Sequence, residues 1–140
     1  MVHARKEIRR VLTDDGNLID LRPIADRWPA EVFSSRSRQQ VGRVTDLPEG
    51  LADDAAANEA MKAVEDSGLF VRQEESSFPF YYTWDSPREM QEYVEEEWAD
   101  FIGMDAETWK QIRSAWAVAD ADARVAIRVK MLITRWHKTA

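Results

Sequence analysis

Apolar positions change their period several times along this chain, and each change marks an element. Ile8, Val11 and Leu12 recur at helical spacing with cationic residues on the other faces, which predicts an amphipathic helix over 2–13. Gly16 suits the positive-φ position of the turn that follows. Leu18-Ile19-Asp20-Leu21 is then a short strand, closed by Pro23, which cannot donate to a ladder. Residues 22–53 are mostly irregular, punctuated by Pro29, Pro48, Gly42 and Gly50, with short strands at 31–33 and 40–44 joined as a hairpin. Asp53 or Asp54 caps a helix running to about Ser67, with Met61 and Val64 inward and Gly68 at its end.

Further on, Leu69 and Val71 set an inward face at odd positions, whereas Phe78, Phe80, Tyr82 and Trp84 set one at even positions. A period of two cannot change parity without an extra residue, so a bulge or bend is expected near 76–77. Ser86-Pro87-Arg88-Glu89 is a capping box that opens a helix with Met90, Tyr93, Val94, Trp98 and Phe101 on one stripe. A second helix, capped by Asp105, carries Trp109, Ile112 and Trp116. Val125, Ile127, Val129, Met131 and Ile133 then alternate strictly, predicting a half-buried antiparallel strand whose other side, with Ala126, Arg128, Lys130 and Thr134, is wet or faces a pocket.

At 140 residues, with no repeat or low-complexity linker, the chain reads as one domain over 1–140. A formal charge of −7 argues against nucleic acid as the main partner. Arg36-Ser37-Arg38 and the late basic residues Arg128, Lys130, Arg135 and Lys138 have the charge to hold a small anion, but read first as solvated surface. Cysteine is absent and only His3 and His137 are present, so there is no disulfide framework, thiolate or metal-ligand spacing. No apolar run suits a bilayer and the first residues lack a secretion signal; a cytoplasmic protein without membrane contact is the expectation.

The opening Ile8-Arg9-Arg10-Val11-Leu12, the Asp14-Asp15-Gly16 turn and the strand to Asp20-Leu21-Arg22-Pro23 resemble the helix, turn and fifth strand of class I S-adenosylmethionine-dependent methyltransferases. The later order is similar too: a helix ending at Gly68, a long aromatic strand, inserted helices and a final amphipathic strand. The resemblance covers nearly the whole chain but only the second half of the family's domain. It implies an α+β fold resembling the last strands of that family: a small, mostly antiparallel sheet of about three main strands, with helices packed on one side. It also implies acceptor-side surface. The family grips its cofactor with a glycine-rich turn and an acidic strand end. No Gly-x-Gly occurs here, so no cofactor-binding residue carries over and no cofactor is expected for this chain. Met1-Val2-His3-Ala4 resembles the middle of a helix, which leaves open a truncated product or a longer reading frame. A bare strand edge predicts a homodimer or another partner.

Candidate chemistry is sparse. Asp14-Asp15 reads as turn chemistry rather than a metal site, and Asp20, at a strand end before Arg22, as making a structural hydrogen bond or salt bridge rather than catalysing. The aromatic run 78–84 reads as core, with off-phase Tyr81 unexplained by burial. Trp28 is expected to be an exposed loop tryptophan over an apolar groove. The candidate ligand pocket is Arg22, Trp28, Tyr81, Tyr82 and Arg128, with no catalytic and no metal residue. Three functions follow: a methyltransferase-like C-terminal fragment that neither binds S-adenosylmethionine nor catalyses alone, a stand-alone module for an anionic or aromatic small molecule, or part of a longer methyltransferase.

Overall fold

Across residues 2–140, which this computed structural model describes, four helices and seven strands follow one another in mixed α+β order. They are α1 (Val2–Val11), β1 (Asn17–Pro23), β2 (Pro29–Phe33), β3 (Arg38–Arg43), β4 (Thr45–Asp46), α2 (Pro48–Asp66), β5 (Phe70–Trp84), α3 (Pro87–Glu97), β6 (Ile102–Gly103), α4 (Ala106–Ala117) and β7 (Arg124–Lys138). β7 pairs with β1, β2 and β5, and β3 pairs with β2, in one five-stranded sheet; β4 and β6 form a separate pair. The pairings β1–β7, β2–β7, β2–β3 and β4–β6 are all antiparallel. The expected three main strands are β1, β5 and β7, and the expected hairpin is β2–β3.

The chain gathers into two compact units. One holds the chain up to Ile24 with Asp53–Phe78 and Met131–Ala140; the other holds Ala25–Ala52 and Pro79–Lys130. In the first unit, β1 runs antiparallel to the C-terminal part of β7, from Asn17 opposite His137 to Pro23 opposite Met131. Opposed residues share a face. Leu18 opposite Trp136 therefore joins a core of Val64, Phe70 and Trp136, closed by Ile8 from α1, by Leu12 just past its end and by Met61 from α2. On the other face, Ile19 and Leu21 stay 52% and 53% exposed, opposite Arg135 and Ile133. The C-terminus is tied down: Lys138 Nζ donates to Leu12 O at 2.8 Å and Arg9 Nη2 to Thr139 O at 2.9 Å.

In the second unit, α4 packs on β2 and β3 and against α3. A Cβ at Gly42 would lie 2.8 Å from Thr108 Cγ2, so the missing side chain is what lets α4 come this near to β3. α3 starts as expected: Ser86 accepts from Glu89 N at 3.3 Å, Pro87 occupies the first turn, and Glu89 Oε2 accepts from Asp85 N at 3.1 Å. Met90, Val94, Trp109 and Ile112 are buried, while Phe101, expected on the same stripe, lies past the end of α3 and is exposed. Asp105 caps α4, accepting from Thr108 N at 2.7 Å.

Other expectations need correction. α2 begins at Pro48 rather than at Asp53 or Asp54, with Leu51 N bonding to Leu47 O at 3.1 Å; proline fits a first turn, where no N–H is needed. In β5 the inward side chain is Phe70, and Val71 is exposed; Leu69 packs on the core from just before the strand. Arg72 lies over the Trp136 ring at 6.0 Å and Glu75 accepts from Thr134 Oγ1 at 3.0 Å. Finally, β7 buries Val125, Ile127 and Val129 in the second unit together with Ala126, which was expected on the wet side, but in the first it buries Thr134 and Trp136 and leaves Met131 and Ile133 half-buried. Thr134 is thus not on a wet side, because the helices of that unit pack on the even-numbered face.

Phe70→Ala should cost about 3–5 kcal/mol in a denaturant titration, since it empties the centre of the first unit's core; a loss under about 1 kcal/mol would contradict this packing. Asp105 is held below the ordinary aspartate range by hydrogen bonds from Thr108, and Asp122 by hydrogen bonds from Ser35. A depressed folded-state pKa gives stability that is present above the unfolded value and lost as pH falls through the folded one. Thermal melts should therefore show an acid loss beginning below about pH 4. That loss becomes shallower in Asp105→Asn, which keeps a capping oxygen and removes the titration.

Candidate functional site

Consecutive strand residues point to opposite faces, so β5 in the second unit presents two different surfaces. Tyr82 sits in an aromatic cluster. Its ring lies 4.9 Å from Trp98, 5.3 Å from Phe80 and 6.4 Å from Tyr93, and Trp28 reaches the same Trp98 at 5.9 Å. Trp84 completes the group beside Tyr93 at 5.5 Å. These are mostly edge-to-face contacts, the geometry that ring quadrupoles prefer. Trp28 is buried, not the exposed loop tryptophan expected, because the loop folds back: Val44 N donates to Trp28 O at 2.9 Å. Phe78, Phe80 and Tyr82, expected inside, are each more than a third exposed.

Tyr81 faces the other way and stacks on a cation. The Arg38 guanidinium lies 4.6 Å from the centre of Tyr81 and 4.7 Å from that of Phe33. The same guanidinium donates through Nη1 to Oε1 of Glu31. Glu31 is 3% exposed in the middle of β2, flanked by Ala126 of β7 and Gln40 of β3. A carboxylate this deep requires a partner, and Arg38 is that partner. Arg128 stands at its other oxygen, with Nε 3.6 Å from Oε2. Two residues further, Lys130 pairs with Asp26 at 3.5 Å. The cluster is thus two guanidiniums on one carboxylate, with one positive charge in excess.

Comparison with family models, with curated proteins and with solved structures finds no match. The site is therefore read from its own residues. Of the candidate pocket, Trp28 and Tyr82 meet at Trp98, and Tyr81 and Arg128 meet at the Arg38–Glu31 pair. Arg22 belongs to the first unit, where it donates to Asn58 Oδ1 at 2.6 Å and pairs with Asp20 at 3.3 Å. Its Nη1 is buried without a hydrogen-bond partner among the described residues. Asp14 lies 3.5 Å from Lys138 Nζ, and no group of three or more metal-binding side chains occurs among the described residues. An open groove of about 400 Å³ between β3 and α4, lined by Gln39, Gln40, Lys110 and Gln111, contains none of the candidates.

Sequence reading missed Glu31, Arg38 and Phe33 as one constellation. The signal was present: a strand with glutamate between Ala30 and Val32 must place that carboxylate on the opposite face, beside Phe33. Arg38→Leu should destabilise the protein by about 3–5 kcal/mol, because it strands a buried carboxylate. Arg128→Gln, at a half-exposed and longer contact, should change stability by less than about 1 kcal/mol. Equal losses in the two denaturation curves would contradict this division of roles.

Proposed function

We propose that this chain supplies the acceptor-side, C-terminal half of a class I methyltransferase-like fold and neither grips S-adenosylmethionine nor catalyses by itself. The observation that carries the reading is the uneven cover of the first unit. α1 and α2 close one face of the β1–β7 pair over Trp136, while on the other Ile19 and Leu21 are exposed and Met131 and Ile133 only half-buried. A methyltransferase-like second half deprived of its parallel partner would leave such a face and the outer edge of β1 bare. The order of elements supports the same reading: a helix and turn into β1, a helix ending at Gly68 with φ of +66°, the long aromatic β5, and a last strand antiparallel to β1 and paired with β5. The five glycines are isolated, so the chain has no glycine-rich turn to cradle the cofactor.

An apolar sheet face next to an unpaired edge favours association, and a second copy of the chain is the proposed cover. Cysteine-free composition fits a cytoplasmic setting; no helix among the described residues is long and apolar enough to cross a membrane.

Calorimetric titration with S-adenosylmethionine should give no binding heat, and saturable binding by this chain alone would overturn the reading. Light scattering should return a dimer at micromolar concentration. Leu21→Lys should make it a monomer with an unchanged circular dichroism spectrum; a wild-type monomer rules out the second copy as the cover.

A further inference from the structure

We propose that Arg38 and Arg128 form a binding site for a small organic carboxylate, with Glu31 as the brace that positions both guanidiniums. The site lies wholly within the second unit and stands whether or not the acceptor-side reading does. Three observations converge on it.

The first is charge. Glu31 has one negative charge to share between two arginines, and its hydrogen bond goes to Arg38. At 3.6 Å, Arg128 Nε is beyond hydrogen-bond reach of Oε2, so attraction holds it near Glu31 while its donors stay uncommitted there. The second is access. The buried carboxylate lies beneath, but the Arg38 and Arg128 side chains are 45% and 39% exposed. Both side chains are therefore open to solvent above a fixed base. The third is rigidity. Arg38 is held between the Phe33 and Tyr81 rings, which removes much of the rotamer freedom that a long cation loses on binding.

A planar oxyanion suits this arrangement, because guanidinium N–H pairs match the two oxygens of a carboxylate. It would neutralise the excess charge and take up donors that Glu31 leaves unused. The exposed edge of Tyr81 beside Arg38 adds an apolar wall, which favours an aromatic body on the acid. The chain's overall charge of −7 opposes polyanions, so the ligand that fits is small and singly charged. The bland alternative is a structural ion-pair cluster that simply keeps Glu31 satisfied. That alternative accounts for Arg38 but gives Arg128 no hydrogen bond to make.

Sodium benzoate is the probe, followed through the arginine Nε–Hε and Tyr81 signals in nitrogen-15 NMR spectra of the full chain, at ionic strength matched with sodium chloride. Saturable shifts at Arg38, Arg128 and Tyr81 are expected. Binding should be about tenfold weaker in Arg128→Gln, with Arg128→Lys in between because it keeps the charge and loses the fork. The amide spectrum of Arg128→Gln reports that the fold is intact. Shifts no larger than those from chloride, or the same benzoate affinity in wild type and Arg128→Gln, would overturn the site. Tighter binding of inorganic phosphate than of benzoate would overturn its assignment to a carboxylate.

Discussion

Backbone pairing along β7 is the constraint on which the rest of the structure depends. Its fifteen residues, Arg124–Lys138, pair with β1, β2 and β5, so its side-chain alternation decides what each neighbour buries. In the second unit Val125, Ile127 and Val129 are buried on the odd face, while the even face, which Glu31 shares, buries Ala126 and leaves Arg128 and Lys130 half-buried. In the first unit the even positions Thr134 and Trp136 are inside, which leaves Met131 and Ile133 beside the exposed Ile19 and Leu21. The half-open face of the first unit and the Glu31 face of the second both follow from the alternation of β7.

The electrostatics follow from the same register. Ala126 opposite Glu31 contributes only a methyl group, which leaves room over the strand for the buried glutamate. Burial makes an ion pair obligatory, and Arg38 meets the obligation from directly opposite Phe33. Arg128 is carried to the site by its place on β7 and is held near Glu31 by charge, at 3.6 Å, without a hydrogen bond. A cation positioned by backbone geometry and only loosely neutralised is the feature of this molecule that most resembles recognition chemistry.

Most of the fold was legible in local signals. The Ser86 and Asp105 caps, the Gly68 stop, the hairpin and the alternation of the last strand are all encoded within a few residues of where they act. What was not legible depends on contacts distant in sequence. Nothing near Val71 says that Phe70 will be the buried neighbour, since that choice is made by Val64 and Trp136. Thr134 looked wet because the alternation was extended through the strand, whereas burial changed sides with the covering helices. Trp28 looked like a loop residue and is one; its burial comes from Trp98, seventy positions away. The face of Glu31 is legible locally, because the strand period of 29–33 sets Glu31 and Phe33 opposite Ala30 and Val32.

The central claim is that the uncovered face and outer edge of β1 are an interface, not a solvated surface. Hydrogen exchange at the amides of Leu18, Ile19, Asp20, Leu21 and Arg22, measured across a wide range of protein concentration, tests it most directly. The account predicts that protection in β1 rises with concentration while that of α4 stays constant. Exchange in β1 that is fast and independent of concentration would contradict it.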